Sequence, residues 1–547
     1  MTDAKGDATE GSAGPMMAAD GTPLKKSLAR ALRMQKMRAL MLIAPLLLFV
    51  LVTFIAPIAD MLFRSVENDI VSDTMPRTTA VLADWDGQGM PPETAFEAAY
   101  FDLYIAAERK LHTRLGTRLN YEQTGASSLF RKSGRGLDDI GEVYQDQFED
   151  LDEGWDEAMP WAELMGDPEW LSEQAAWTKG ARQPEFILRD GIADLLPRTA
   201  EQYEAFALYL QDEDNKSPLD EEPWSAVHTA LYEDLAAGDL SGYSGPRADM
   251  LVAADALVDS PDFETVSFAR GFEDIDEDWV DPEIWRTIKL YSPEMTPGYF
   301  LNSVDMQLTP EGVEMRPDNQ RIYMLLFKRT IFMSMVITCS CILLAYPVAY
   351  ILANLPARKA NLLMILVLLP FWTSLLVRTS AWKVMLQQQG VINDVLVWLG
   401  LVADDSRLAM INNQFGTIVA MTHILLPFMI LPMYSVMSTI PHTYVRAAKS
   451  LGATDWTTFW RVYFPQSIPG IGAGSILVFI LSIGYYITPE IVGGTTGTFI
   501  SNRIAYHISS SLNWGLAAAL GTILLAVVLI LYWAYDRIVG IDNVKLG

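Results

Sequence analysis

Six long stretches that contain almost no charged residues constrain this chain more than any other feature. They cover approximately residues 39–60, 330–353, 361–384, 414–437, 470–490 and 515–536. An α-helix needs about 20 apolar residues to cross the hydrocarbon core of a bilayer. The first stretch begins too far from the N-terminus, and is too long, for a simple cleaved signal peptide. The sequence therefore predicts an all-α membrane protein with six transmembrane helices that are solvated by the lipid bilayer.

The acidic residues are concentrated in one region. The net charge is −27, although 50% of the residues are hydrophobic. Residues 66–320 contain 55 acidic and 18 basic residues, whereas the rest of the chain contains 12 acidic and 22 basic residues. This segregation predicts an acidic, soluble insert between the first and second spans of a weakly basic membrane frame.

The basic residues in short loops predict the orientation, because such loops remain in the cytoplasm. Six Lys and Arg residues lie between positions 25 and 38, before the first span. Arg358 and Lys359 follow the second span, and Arg446, Lys449 and Arg461 follow the fourth. Both termini are therefore expected in the cytoplasm. The insert and the loops 385–413 and 491–514 are expected outside.

We divide the chain into four parts. We expect residues 1–36 to be a mostly disordered cytoplasmic tail and 37–64 to be the first span. Residues 65–322 are expected to form a mostly helical insert, and 323–547 a core with spans two to six and polar helices near 441–469. Apolar residues recur at helical spacing in 93–115 and 201–211, which supports a helical insert. No internal repeat is evident. Cys339 and Cys341 lie in the second span, where they are expected to act as apolar side chains without a disulfide.

Enzyme and metal signatures are missing from the sequence. The glycine-rich VGGTTGTF (492–499) lacks the lysine of a phosphate-binding loop. The acidic run EDIDEDWVDPE (273–283) resembles a calcium loop in its spacing, but Trp279 stands where the turn needs glycine. We therefore predict no catalytic residue, no metal site and no cofactor bound by this chain.

The polar segment RAAKSLGATDWTTFWRVYFPQSIPGI (446–471) lies between the fourth and fifth spans. We expect a helix that ends at Gly452, and a second short helix capped by Thr454 or Asp455. Pro465 and Pro469 are expected to end that second helix before the fifth span. Its apolar ridge consists of Leu451, Trp456, Phe459 and Trp460. Such a ridge either receives a soluble partner or packs on the protein's own spans.

This segment matches the pattern A-A-x(3)-G-x(9)-[IV]-x-[LF]-P at Ala447, Ala448, Gly452, Val462, Phe464 and Pro465. It resembles the cytoplasmic coupling-helix motif of permease subunits of type I ATP-binding-cassette importers. Arg446 stands where that family usually has Glu. The segments 369–400 and 423–435 and the region from 462 onwards resemble the spermidine/putrescine class of permease. The resemblance covers roughly 37–64 and 323–547 and leaves the insert unexplained.

The resemblance implies a type I importer permease fold in a bacterial inner membrane, with the insert in the periplasm. It also implies partners: a second permease subunit, a cytoplasmic ATPase dimer that uses ATP and Mg, and an extracytoplasmic substrate-binding protein, but no nucleic acid. The residues expected to couple to the ATPase are Arg446, Ala447, Ala448, Leu451, Gly452, Ala453, Trp456, Phe459 and Pro465.

Polar and aromatic residues near the span ends are candidates for the substrate pathway. Glu490, at the predicted end of the fifth span, could attract a cationic amine, or bond to nearby backbone instead. Four aromatic residues could stack on an ammonium group, although aromatic residues also form interfacial belts: Trp372, Trp382, Tyr485 and Tyr486. Arg378 is expected to be a snorkelling anchor or an ion-pair partner.

These observations favour an importer permease for polyamines or a related small organic cation. An importer of another small solute, such as a quaternary amine or an amino acid derivative, stays open. So does a membrane sensor or scaffold with a ligand-binding outer domain. The acidic insert could concentrate cations, dock a binding protein, or be suited to a salty habitat.

Overall fold

The computed structural model describes residues 24–539, apart from 239, 241 and 242. The chain divides into two compact units, residues 1–64 and 65–547. The first unit contains a helix over Leu24–Val50, a π-helical turn at Leu51–Ile55 and a helix over Ala56–Arg64. Residues 33–64 of this unit are long and apolar enough to cross a membrane. The helix includes residues 24–36 of the predicted tail, and residues 1–23 lie outside the described part.

The second unit contains the other candidate spans. Four of its helices pass the same test: Tyr323–Asn354, Gln414–Thr439, Asp455–Gly484 and Trp514–Arg537. With the first span, these make five candidate membrane helices in the described residues, or six if one bent pair counts as a span. Shorter helices cover Val391–Trp398 and Ile500–Ser509. The chain is a mostly helical membrane protein, as the sequence predicts.

The predicted third span is not one straight helix. A helix over Ala357–Leu368 runs into a 3-10 turn at Leu369–Trp372, and a second helix over Leu375–Met385 follows at an angle of 92°. Pro370 lies at the start of the 3-10 turn, and the Ser374 hydroxyl accepts the amide of Val377 to begin the second helix (3.4 Å). The bend occurs here because proline lacks an amide hydrogen and a serine cap starts a new helix.

The prediction that Pro465 and Pro469 end the polar segment is wrong. Both lie inside a continuous helical stretch from Asp455 to Gly484. Residues Phe459–Tyr463 form a π-helical turn, in which the amide of Phe464 bonds to the carbonyl of Phe459. The hydrogen-bond register therefore changes immediately before Pro465, so its missing amide hydrogen does not interrupt the helix.

The second, fourth and fifth spans pack against each other through small and flexible side chains. A Cβ atom at Gly474 would lie 2.6 Å from the sulfur of Met429, and one at Gly470 would lie 3.1 Å from the Cα atom of Met433. Small residues allow membrane helices to approach closely in this way. Cys341 is buried in the same cluster, whereas Cys339 is exposed, and neither forms a disulfide.

The insert consists of short helices and one hairpin. Its helices are Ile70–Thr74, Pro76–Asp84, Glu93–Glu108, His112–Leu119, Ala126–Gly136, Asp138–Leu151, Ala158–Met165, Pro168–Ala175, Ile192–Leu195, Pro197–Tyr209, Ser225–Ala237, Ala248–Val258, Phe268–Ile275, Pro282–Leu290 and Gly298–Ser303. Short 3-10 helices cover Glu153–Trp155, Glu277–Val280 and Asp318–Gln320, and a π turn covers Leu210–Asp214. Strands Met306–Thr309 and Gly312–Met315 pair antiparallel, with Met306 opposite Met315.

The insert contains an internal repeat that our sequence analysis missed. FEDLDEGWDEAMPW (148–161) and FEDIDEDWVDPEIW (272–285) share the positions of both tryptophans, the phenylalanine and most acids. In each copy the second indole donates to the carbonyl of the first tryptophan at 2.9 Å, from Trp161 to Trp155 and from Trp285 to Trp279. The local structure is therefore duplicated along with the sequence.

A second pair of segments, MPRT (75–78) and LPRT (196–199), belongs to the same duplication. The amide and hydroxyl of Thr78 both donate to Asp102 at 2.8 Å. Those of Thr199 both donate to Asp234 at 2.7 Å. Two copies of one helical unit therefore make up most of the insert. The spacing between matching segments differs between the copies, which hid the repeat.

The two copies, residues 75–161 and 196–285, each contribute residues to both of the insert's hydrophobic clusters. One aromatic cluster joins Leu82 and Phe96 of the first copy to Phe272 and Trp285 of the second. The other cluster joins Trp155 and Trp161 of the first copy to segments of the second copy, including Leu196, Tyr203 and Leu231. Neither copy has a complete core without the other, so the insert is expected to fold as one unit.

Candidate functional site

The first candidate site is the loop between the fourth and fifth spans (441–463), which we call the knob. Its first helix, His442–Ser450, follows Pro441, and its second begins with Asp455–Thr458 and continues into the fifth span. The knob therefore projects from the end of two packed spans.

Gly452 makes the turn between these two helices. Its amide donates to the carbonyl of Lys449 (3.0 Å), and the amide of Ala453 donates to the carbonyl of Ala448 (3.1 Å). This pair of bonds is a Schellman motif, which needs a left-handed residue just beyond the helix end. Gly452 has φ +88°, and a Cβ atom there would meet nothing within 4 Å. The backbone conformation, rather than a lack of space, requires glycine.

The second helix of the knob is capped as the sequence suggests. The hydroxyl of Thr454 accepts the amide of Thr457 at 3.3 Å. The ammonium group of Lys449 and the carboxylate of Asp455 form an ion pair at 2.5 Å that bridges the two helices. Both charged side chains are mostly exposed, so this pair contributes little stability and mainly favours one geometry of the turn.

The turn of the knob exposes large apolar side chains. Leu451 is 89% exposed and Trp456 is 73% exposed, and Tyr444 and Trp460 are also exposed. Burying a large apolar side chain contributes about 1.5–3 kcal/mol, so a partner that covers this patch would bind favourably. The sequence analysis missed Tyr444, although it lies two helical turns before Leu451 on the same face.

Phe459 does not belong to this exposed patch. Its ring lies edge-on to Tyr346 and Tyr350 of the second span, with centroids 6.0 and 5.9 Å apart. The predicted apolar ridge therefore divides into an exposed part and a part that fixes the knob to the second span. Among the other residues of the predicted coupling set, Arg446, Ala447 and Pro465 are exposed, and Ala448 and Ala453 are partly buried.

The second candidate site surrounds Glu490, which is not at the end of the fifth span. That span ends at Gly484, and Glu490 lies on a separate short helix, Ile487–Val492. A continuous helix would need the amide of Pro489 to bond to the carbonyl of Tyr485, which proline cannot do. The chain therefore restarts its helix with proline in the first turn, where no amide partner is required.

A helix beyond the short one holds the Glu490 carboxylate. The side-chain amide of Asn502 donates to Oε2 of Glu490 at 2.6 Å and to the carbonyl of Tyr486 at 2.9 Å. The Ser501 hydroxyl donates to the carbonyl of Tyr485 at 2.7 Å. The Glu490 side chain is exposed but fixed. Sequence reasoning missed Asn502, because nothing local connects it to Glu490.

The remaining pathway candidates surround the bend of the third span. Arg378 lies on its second helix, and the hydroxyl of the next residue, Thr379, contacts that of Thr488 on the Glu490 helix at 3.2 Å. Tyr485 is half-buried and Tyr486 is exposed beside Glu490. Trp372, 74% exposed, precedes the bend. The structure thus brings Glu490, Tyr485, Tyr486 and the Arg378 helix together and leaves Trp372 on the other arm of the bend.

An apolar cavity of about 370 Å³ lies between the second, third and fourth spans. Val348, Leu363, Pro370 and Ile430 are among its lining residues, and His423 is its polar member. None of the predicted pathway residues lines this cavity, so it is separate from the Glu490 site.

Comparisons with known proteins agree on one class. The family described as binding-protein-dependent transport system inner membrane component matches residues 345–539. The spermidine/putrescine transport system permease protein PotB of Salmonella typhimurium LT2 is 33% identical over 222 residues, which are 40% of this chain and 77% of that protein. PotB of Escherichia coli K12 is 32% identical over 222 residues, 40% of this chain and 80% of that protein.

Another permease and a solved transporter structure are also similar to this chain. The inner membrane ABC transporter permease protein YdcU of Escherichia coli K12 is 32% identical over 255 residues, 44% of this chain and 79% of that protein. A solved bacterial ABC transporter involved in the import of the acidic polysaccharide alginate is 20% identical, covers 50% of this chain and 99% of the solved chain, and has a TM-score of 0.34.

The family match excludes the insert, since it begins at residue 345 within the second span. The relatives exceed 30% identity over more than three quarters of their own length. Their names describe permeases, which transport solutes and are not enzymes. This chain belongs to the family of binding-protein-dependent transport system inner membrane components, the permease subunits of ABC importers.

Proposed function

We propose that this permease forms one side of a translocation pathway for polyamines, that is, spermidine, putrescine or a related small organic cation. The observation that carries the proposal is the 33% identity to a spermidine/putrescine permease over 77% of that protein. The exposed carboxylate of Glu490, fixed by Asn502 at 2.6 Å, supports it. A fixed carboxylate near membrane depth attracts an ammonium group.

The aromatic side chains beside Glu490 suit the same substrate class. Tyr485 and Tyr486 flank the Glu490 helix, and a cation over such a ring gains about 0.5–2 kcal/mol. Trp372, on the other arm of the bend, would contact a substrate further along the pathway. Arg378 would repel a cation, so we assign it a structural role at the bend rather than a substrate contact.

The knob is proposed to bind the ATPase. Leu451 and Trp456 would insert into a groove of a cytoplasmic ATPase dimer, which itself uses ATP and Mg, while the Gly452 turn fixes their direction. Arg446, in place of the family's usual Glu, is expected to meet an acidic residue on that ATPase. This chain binds no cofactor in the proposed cycle.

The remaining partners and the topology follow from the same proposal. A second permease subunit completes the pathway, and an extracytoplasmic binding protein delivers the substrate. Both termini and the knob lie in the cytoplasm of a bacterium, and the insert lies in the periplasm. The basic residues before the first span and in the knob support this orientation.

The experiment is ATP hydrolysis by the co-expressed complex in lipid vesicles with its binding protein, titrated with putrescine and spermidine. We expect either polyamine to stimulate hydrolysis, and Glu490→Gln to weaken uptake of the labelled polyamine. An active ATPase that neither polyamine stimulates would overturn the substrate and favour a quaternary amine or an amino acid derivative. If no ATPase co-purifies, the proposed role of the knob fails.

A further inference from the structure

The helix between the fifth and sixth spans, Ile500–Ser509, contacts the Glu490 site with one end and the insert with the other. We call it the linker helix. At its first turn, Asn502 holds Glu490 at 2.6 Å. The Asn502 side-chain oxygen also accepts the amide of Phe499 at 3.0 Å, so the orientation of its amide group is fixed.

The second span fixes the start of the linker helix. The amide of Ile500 donates to the hydroxyl of Thr330 at 2.9 Å, and the guanidinium of Arg329 donates to the carbonyl of Thr495 at 2.9 Å. The second span therefore helps to fix the position of the Glu490 site, together with the short helix that carries Glu490.

The last turn of the linker helix carries His507, which is buried. Its Nε2 atom lies 3.0 Å from the hydroxyl of Tyr323, the first residue of the second span. Its Nδ1 atom lies 2.8 Å from the hydroxyl of Ser511. The His507 ring packs edge-on against the ring of Tyr121 in the insert, with centroids 6.2 Å apart. His507 therefore joins the linker helix to both the second span and the insert.

The insert side of this contact is rigid. Arg316, which is buried, donates to the carbonyl of Tyr121 at 2.9 Å and to Oε2 of Glu122 at 2.7 Å. Arg118 pairs with Oε1 of Glu122 at 2.9 Å, and its guanidinium lies over the ring of Tyr299, 4.5 Å from the centroid. Charge-assisted bonds between buried groups hold one geometry well.

The same network begins the second span. The buried carboxylate of Asp305 accepts the amides of Ile322, Tyr323 and Met324 at 2.9–3.0 Å. The amide of Arg316 donates to the carbonyl of Asp305 at 3.0 Å. A carboxylate at the start of a helix stabilises its free amides. The position of Tyr323, and so of its hydroxyl, is therefore set by the insert.

We propose that the insert positions Glu490 through the linker helix. The contacts of His507 with Tyr323 and Tyr121 set the position and rotation of this helix. The helix in turn presents Asn502 to Glu490. His507, Tyr323 and Asn502 are positioning residues in this scheme, and none of them needs to touch the substrate. The inference rests on the proposed pathway role of Glu490. It gives the insert, which lies outside the family match, a function in transport.

The test measures the initial rate of labelled spermidine uptake by the reconstituted complex at saturating loaded binding protein. His507→Ala removes the hydrogen bonds of the imidazole to Tyr323 and Ser511, and Tyr323→Phe removes the hydroxyl that faces Nε2. We expect uptake to fall roughly three- to tenfold in each variant. His507→Gln keeps a polar atom near the Tyr323 hydroxyl and should restore most of the rate. Tyr144→Phe, which removes a hydroxyl bonded to Val266 elsewhere in the insert, is the matched control and should leave uptake unchanged.

A double-mutant cycle separates positioning from general damage. In a Glu490→Gln background, His507→Ala should cause no further loss, because both changes act through the same carboxylate. Independent, multiplying losses would overturn the inference and leave the pathway role of Glu490 standing. Normal uptake by His507→Ala would overturn it as well. If Glu490→Gln alone has no effect on uptake, the proposed pathway role fails first.

Discussion

The insert and the transmembrane core solve the same packing problem in opposite ways. The insert buries its largest side chains, including Trp161 and Trp285, and keeps most of its acidic side chains at least partly exposed. The core buries Ser334 and glycines such as Gly474 between helices and exposes Leu343, at 75%, to its surroundings. Water drives the first arrangement through the hydrophobic effect. Lipid provides no such drive between helices, so close contact of small residues replaces it.

Family membership follows the same division. The family match lies within the core, at residues 345–539. In the proposed function, the knob and the pathway in this core depend on partner subunits. The insert lies outside that match, and its two copies complete each other's aromatic clusters. The comparison therefore predicts that changes in packing and pH alter the stability of the insert, as in a soluble domain. Changes in the turns of the core should instead alter transport.

The largest expected effect concerns the duplicated tryptophans. Trp161→Ala and Trp285→Ala should each lower the free energy of unfolding of the insert by about 3–5 kcal/mol, because both rings are fully buried. Trp398→Ala, at an 82% exposed site outside the insert, is the control and should change it little. Pulse proteolysis of the full chain in detergent measures all three. Similar losses for all three variants would remove the contrast between the two regions.

The next effect comes from His228, buried in the insert between the carbonyls of Trp155 and Trp224. Burial lowers the pKa of His228 to about 4 from an ordinary value of 6.5. The unfolded chain therefore binds the proton more readily, so stability is retained above pH 6.5 and is lost as the pH falls towards 4. The loss attributable to His228 should reach about 3 kcal/mol near pH 4.

The measurement for His228 is urea unfolding of the insert within the full chain, followed across pH 4–7. Comparison with His228→Gln isolates the histidine, because the buried carboxyls of Asp102 and Asp234 remain the same in both proteins. Burial raises the pKa of both carboxyls, so they oppose the trend of the histidine. Parallel pH curves for the two proteins would contradict the prediction.

A smaller effect is expected at the boundary between the two regions. Asp305→Ala removes the acceptor of three amides at the start of the second span and places alanine at φ +60°. We expect a loss of about 2 kcal/mol, seen as faster hydrogen exchange at residues 322–324. Asp318→Ala, which removes a 93% exposed partner of Arg321, is the control. Equal exchange in the two variants would show that Asp305 does not join insert and core.

The variant with the smallest expected loss of stability, Gly452→Val, is expected to have a large effect on transport. Gly452→Val should cost about 1–2 kcal/mol, since a branched residue resists the left-handed conformation. Because the turn directs Leu451 and Trp456, we expect stimulated ATP hydrolysis to be lost while membrane insertion is normal. Gly452→Asn tolerates this conformation and is the matched control. Normal stimulated ATP hydrolysis in Gly452→Val would show that the knob does not couple transport to ATP hydrolysis.

The sequence predicted most of the core and part of the candidate site. Helix length, the Gly452 turn and the Thr454 cap are local properties, so a pattern of neighbouring residues was sufficient. The bend of the third span was not predicted, and the fifth span was predicted to reach Glu490 although its helix ends at Gly484. Apolar content does not reveal where Pro370 and Pro489 interrupt a helix. Phe459 was placed on the exposed ridge because helical periodicity cannot say which apolar face meets the second span.

By itself, the sequence determined the apolar stretches, the segregated acidic insert and the knob motif, since each is encoded within one continuous segment. Tertiary structure alone decided that Asn502 holds Glu490, that His507 meets both Tyr323 and Tyr121, and that both copies in the insert contribute to each of its hydrophobic clusters. Those contacts join residues far apart in the chain. Their partners are chosen by packing and by the need to satisfy buried polar groups, neither of which a local pattern records.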